Sequence, residues 1–87
     1  MVEREVSVTN PLGIHARPAS LLVQTAKGFK SSVWLEKDGM VADAKSIMSV
    51  MMLAAAQHSK ILIRTEGADE GAALETMAKQ FSNNFNE

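Results

Sequence analysis

Ser32-Val33-Trp34-Leu35-Glu36-Lys37-Asp38-Gly39-Met40-Val41-Ala42-Asp43 consists of two extended runs on either side of an Asp-Gly pair. Asp-Gly between such segments marks a two-residue hairpin, because both residues tolerate the left-handed backbone that the turn requires. Strands are therefore expected at Ser32 to Lys37 and at Met40 to Asp43. Val33 and Leu35 fall on one face of the first strand, Trp34 and Glu36 on the other. Such a hairpin begins an antiparallel sheet with one apolar face to cover.

The flanking segments supply the cover. Upstream, Val2 to Thr9 reads as a strand, with Val2, Val6 and Val8 on one face and Glu3, Glu5 and Ser7 on the other. Asn10-Pro11-Leu12-Gly13 has turn chemistry and ends it. A helix follows from about Ala16 to Lys27, with Pro18 in its first turn, where the missing N–H costs nothing. Ala19, Leu22, Val23 and Ala26 form its apolar stripe, and Gly28 stops it.

Downstream, Ser46 reads as the N-cap of a second helix from Ile47 to about Ala56, with Ile47, Val50, Met51 and Ala54 as its buried stripe. Ile61 to Glu66 is a fourth strand, with Ile61 and Ile63 on one face. Asp69 can cap a third helix from Glu70 to about Asn84, whose stripe is Leu74, Met77, Ala78, Phe81 and Phe85. The order βαββαβα implies a two-layer α+β domain spanning 1–87, with three helices on one face of a four-stranded, mainly antiparallel sheet. Right-handed crossovers are expected wherever parallel strands are linked.

Composition narrows the function. Nine Lys and Arg stand against ten Asp and Glu, without the basic excess of a nucleic-acid binder. No cysteine is present, which rules out disulfides and thiolate chemistry and fits a reducing compartment. His15 and His58 form no recognisable metal pair. No basic segment leads into an apolar run at the start, and the longest apolar stretch, Ile47 to Ala56, is interrupted by Ser49. A cytoplasmic chain without membrane insertion is the expectation.

Gly13-Ile14-His15-Ala16-Arg17-Pro18-Ala19 then carries the chemistry. It sets a histidine at the entrance of the first helix, where free backbone N–H groups and the positive end of the helix dipole favour an anion, phosphate above all. A neutral imidazole is also a nucleophile near neutral pH. The pattern points to a phosphohistidine at His15, with the Arg17 guanidinium and the amides of Ala16 and Arg17 holding phosphoryl oxygens. Taken singly, His15 is an ordinary capping residue and Arg17 an ordinary solvated charge; their spacing separates them from that background. His58 reads as a loop or cap residue, Trp34 as packing, and Lys27, Lys30 and Lys45 as solvated charges able to steer an acidic partner.

With Gly13 to Ala19 and Lys45-Ser46-Ile47-Met48 both in place, the chain resembles the HPr family, the histidine-containing phosphocarriers of the bacterial phosphoenolpyruvate-dependent sugar phosphotransferase system. Leu35 to Gly39 and Glu66 to Glu70 resemble family segments too, so the likeness covers essentially the whole chain. Ser49 departs from it, standing where many relatives have glycine, and so does Met40, where a polar residue or glycine is frequent.

The resemblance implies an open-faced β-sandwich and a carrier that takes a phosphoryl group from Enzyme I and passes it to the IIA domains of sugar permeases. It implies Nδ1 of His15 as the attacking atom and Ser46 as a regulatory phosphorylation site. It also implies HPr kinase/phosphorylase and a catabolite-control transcription factor as further partners, and no cofactor. Partner contact is implied for Ser20, Gln24, Ile47, Met48 and Met51. Such a carrier belongs with the transferases but is not a self-sufficient catalyst. The alternatives are a carrier of the nitrogen-related branch, a regulator acting through phosphorylated Ser46, and a generic interaction domain.

Overall fold

The computed structural model describes residues 1–86. Strands β1 (Val2–Ser7), β2 (Ser32–Lys37), β3 (Met40–Asp43) and β4 (Lys60–Glu66) alternate with helices α1 (Ala16–Lys27), α2 (Ile47–Met52) and α3 (Glu70–Ser82) in the expected βαββαβα order. A 3-10 turn, Asn84–Asn86, follows α3. The result is a four-stranded open sheet with three helices, an α+β open-faced sandwich.

The sheet order is β1-β4-β2-β3, and every neighbouring pair is antiparallel. The β2–β3 hairpin forms as its turn residues demand, with Asp38 at φ 51° and Gly39 at φ 83°. No two hydrogen-bonded strands are parallel, so the crossover rule acts only across an intervening strand: β4 lies between β1 and β2, and β2 between β3 and β4.

The covered face and the helical stripes meet in one apolar core. Val8, Leu22, Val33, Leu35, Val50, Ile61, Ile63, Met77 and Phe81 are all but inaccessible within it. The expected α1 stripe is buried in full. The first strand leaves its ladder at Ser7, two residues earlier than the alternation suggests; Val8 instead exchanges backbone bonds with Ser59 and His58, at 2.9 and 2.7 Å.

Three expectations are corrected. The second helix ends at Met52 rather than near Ala56, because Ala54 turns left-handed at φ 49°. Its burial shifts accordingly: Val50, Leu53 and Ala55 are buried, whereas Ile47, Met51 and Ala54 are exposed. The third helix ends at Ser82, and Phe85 regains the core through left-handed residues 84–86, meeting Phe81 edge-on at 5.0 Å.

The third correction concerns Asp69, which stands at the N-cap of α3 without capping it. Its carboxylate accepts from the backbone N–H groups of Lys30 and Ser31, both at 2.9 Å, and from the Ser31 hydroxyl. It thus pins the loop before β2 to the start of α3. Those bonds, led by the one from the Ser31 hydroxyl, hold the Asp69 carboxyl at about 2. At the helix start, Glu70 closes a local loop by accepting from the Gly67 N–H at 3.1 Å.

Candidate functional site

His15 is placed by a turn with little freedom. Asn10 is buried, and its side-chain amide donates to the Gly13 carbonyl at 2.7 Å. Gly13 sits at φ 67°, where a side chain is disfavoured, and a Cβ added there would lie 2.3 Å from the Ala55 carbonyl oxygen. Ile14 then donates its N–H to that same carbonyl at 2.8 Å. The chain just beyond α2 is therefore the floor on which the His15 turn rests.

The next residue is the N-cap of α1. His15 is extended, at φ -90° and ψ -169°, half-buried, and does not cap its own helix through its side chain. The first intrahelical bond runs from the Ala19 N–H to the His15 carbonyl at 3.0 Å. The amides of Ala16 and Arg17 precede that bond, and Pro18 has none to give. Sequence reasoning assigned these two amides to phosphoryl oxygens, and the fold leaves them at the helix start beside the imidazole-bearing residue. Arg17 is exposed and joins no ion pair among the described residues. Such a set suits a tetrahedral anion covalently held by an imidazole nitrogen.

Ser46 opens the second helix as expected. Its hydroxyl accepts from the Ser49 N–H at 3.3 Å, so Ser49 is the donor of the cap. Lys45 reaches back to donate to the Phe29 carbonyl at 2.9 Å, an anchoring contact rather than a free solvated charge. Helices α1 and α2, opened by His15 and Ser46, pack on each other and form the α1–α2 side of the molecule. On that side Ser20 is half-buried and Gln24 exposed, with their side chains 3.5 Å apart. Ile47, Met48, Met51 and Met52 are 42%, 69%, 40% and 67% exposed, an apolar surface left open among the described residues.

One feature of the site escaped the motif-based reading. Residues 6–35 and 44–65 contain no Asp or Glu, yet hold Arg17, Lys27, Lys30, Lys45, Lys60 and Arg64. These segments supply α1, α2 and the His15 turn, and also most of β4, where Arg64 is paired with Glu3 and Glu36. The carboxylates lie in the other segments: near the start of the chain, around the β2–β3 hairpin, and from Glu66 onward. The signal was present in the charge order, which the balanced net charge conceals.

His58, read from sequence as a loop residue, is exposed in the loop between α2 and β4, with φ 76°. Trp34 is half-buried on the open face of the sheet, in register with Arg64 and Asp43. Among the described residues, no cluster of three or more His, Cys, Asp or Glu is placed to hold a metal ion.

Sequence and fold both match known proteins. The family model described as PTS HPr component phosphorylation site matches residues 2–83. Phosphocarrier protein HPr of Xylella fastidiosa is 47% identical over 87 residues, covering all of this chain and 98% of that protein. HPr-like protein Crh of Bacillus subtilis is 46% identical over 78 residues, 90% of this chain and 92% of that protein. The crystal structure of HPr-C-His from Thermoanaerobacter tengcongensis superposes with a TM-score of 0.96 at 40% identity, covering 100% of this chain and 98% of that one.

An open-faced α+β sandwich that matches this phosphorylation-site model is a phosphocarrier domain. The chain belongs to the HPr family of the phosphotransferase system.

Proposed function

We propose that the protein relays a phosphoryl group, accepting it on His15 from phospho-Enzyme I and surrendering it to the IIA domains of sugar permeases. The observation that carries this reading is the N-cap position of His15, beside two helix-start amides and a guanidinium that, among the described residues, have no intrahelical bond and no carboxylate partner respectively. An imidazole nitrogen attacks phosphorus, the bond to the donor breaks, and the Ala16 and Arg17 amides with the Arg17 guanidinium hold the phosphoryl oxygens. Phosphoryl transfer depends mainly on such positioning and charge stabilisation. In the second transfer the N–P bond is the one that breaks. The protein contributes nucleophile and clamp, and the partner completes each transfer site.

The partner face is the α1–α2 side: Ser20 and Gln24 with Ile47, Met48 and Met51. Its exposed thioethers adapt to more than one partner, and the absence of Asp and Glu from the sequences of α1 and α2 favours an acidic counterpart. The setting is the cytoplasm; among the described residues no helix is long and apolar enough to cross a membrane. Ser46 is the regulatory site, phosphorylated by HPr kinase/phosphorylase and read by a catabolite-control transcription factor. A phosphate there adds about -1.5 to -2 charge. That charge at the start of α2 disfavours an acidic partner.

The test is intact mass after incubation with phosphoenolpyruvate and purified Enzyme I. One acid-labile phosphate, absent from His15→Ala, is expected. Uptake by His15→Ala overturns the assignment. Absence of uptake with an active Enzyme I turns attention to the nitrogen-branch donor and to a Ser46-based regulator, the latter in keeping with the similarity to Crh. Ser46→Asp is expected to keep its unfolding midpoint and lose uptake rate.

A further inference from the structure

The chain has six methionines and no cysteine, so its thioethers are its only sulfur targets for an oxidant. They are unequally placed. Met48 and Met52 are 69% and 67% exposed and Met51 40%, whereas Met77 is sealed in the core at 0%. Met48, Met51 and Met52 all lie on α2, a helix of six residues. Met40 is 51% exposed at the start of β3, beside the hairpin tip on the opposite edge of the sheet from β1. It provides an internal contrast: an exposed thioether outside the α1–α2 side.

We propose that Met48, Met51 and Met52 form an oxidation-sensitive modification site, and that their conversion to sulfoxides by a hypohalous acid weakens docking of the phosphoryl donor while sparing the acceptor chemistry of His15. The inference rests on the docking role given to α2 in the preceding section. With hypochlorous acid, the sulfur lone pair attacks chlorine and the O–Cl bond breaks. Water then adds to the chlorosulfonium sulfur and chloride leaves with loss of two protons, one of which the hydroxide released in the first step takes up. The net reaction turns one thioether and one hypochlorous acid into one sulfoxide, one proton and one chloride; sulfur loses two electrons and chlorine gains them.

The consequence follows from solvation. A thioether is apolar and flexible, whereas a sulfoxide is polar and chiral. Burying its oxygen against a partner costs free energy unless a donor meets it. None of the three belongs to the buried core that Val50 and Leu53 help to form, so that core keeps its packing. Sulfoxide reductases restore the thioether, so the change is reversible.

The test uses the full chain, limited hypochlorous acid, peptide mass spectrometry, and uptake assays over a range of phospho-Enzyme I concentrations. Met48 and Met52 are expected to oxidise ahead of Met51, with Met77 spared and the unfolding midpoint unchanged. The KM for Enzyme I is expected to rise about tenfold, the scale of losing an interface anchor, while the rate at saturating Enzyme I holds. Sulfoxide reductases should restore the original KM.

A Met48→Leu/Met51→Leu/Met52→Leu variant, scored against its own untreated rate, should not respond to the oxidant. Met40→Leu should respond as the parent does. The proposal is overturned if the triple variant remains as sensitive as the parent, or if complete sulfoxidation of α2 leaves the KM unchanged. Untreated protein that accepts no phosphoryl group overturns the relay reading and this inference together, before any oxidant is added.

Discussion

Gly13→Ala tests how the His15 turn is held. At φ 67°, an L-residue loses roughly 1 kcal/mol relative to glycine. The new Cβ, 2.3 Å from the Ala55 carbonyl oxygen and 2.9 Å from the Ala56 Cα, forces two backbone segments apart. Accommodating that overlap costs roughly 1–3 kcal/mol. The same movement stretches the 2.8 Å bond from the Ile14 N–H to the Ala55 carbonyl, a further ~1 kcal/mol. Reduced freedom of the unfolded chain offsets about 0.5–1 kcal/mol.

The expected net destabilisation from Gly13→Ala is about 3 kcal/mol, a large share of the ~5–15 kcal/mol that holds a small domain. Equilibrium urea unfolding should show the midpoint falling by about 2–3 M with an unchanged slope. Because the displaced segment leads directly into His15, phosphoryl uptake should fall as well, even where the variant remains folded. A loss below about 1 kcal/mol with the Ile14 amide still protected from exchange would refute the idea that this contact fixes the turn.

Ala54 is a non-glycine residue in the left-handed region, so Ala54→Gly should raise stability by about 0.5–1 kcal/mol in thermal or urea unfolding; a loss would show that the alanine methyl contributes more than its backbone strain costs. The Asp69 carboxyl lies at about 2 in the folded protein against 3.8 ordinarily, so its contribution is present in full above 3.8 and disappears as pH falls through about 2. Asp69→Asn should therefore be less stable than the parent at neutral pH, with the gap closing across that window in pH-dependent urea titrations. Arg17→Ala should slow phosphoryl uptake on His15 without moving the unfolding midpoint, since Arg17 is exposed and without an ion pair among the described residues. Arg17→Lys should recover only part of the rate, because an ammonium cannot grip two oxygens with a planar fork; a rate unaffected by either change would remove Arg17 from the site.

Elements governed by local chemistry were legible in the sequence. Asp38-Gly39 fixed the hairpin, and the spacing of Ala19, Leu22, Val23 and Ala26 set the face of α1 that the core covers. The candidate site was legible for the same reason, since His15 to Pro18 are consecutive and lie on one helix start. Where tertiary contacts override local preference, the reading failed. Periodicity carried α2 on to Ala56, but the chain leaves the helix to present the Ala55 carbonyl to Ile14, a demand set by a residue some forty positions earlier. Asp69 resembles a helix cap in sequence, yet its carboxylate is taken by Lys30 and Ser31, which no local pattern reveals. The exposure of Ile47 and Met51 has the same origin: a six-residue helix offers the core only one narrow stripe.

The strand order also governs how this chain can fold as it is made. β1 has a single sheet partner, β4, which begins at Lys60, and α3, which packs over both, begins at Glu70. The amino-terminal strand therefore has nothing to pair with until two-thirds of the chain has been synthesised. The β2–β3 hairpin can close early, but its place in the sheet also waits for β4. Non-local pairing of this kind slows folding and ties distant segments into one cooperative unit. A truncation before Lys60 removes the strand that joins β1 to β2, so it leaves only the β2–β3 hairpin paired, and a nascent chain must hold Val2, Val6 and Val8 exposed until that strand arrives.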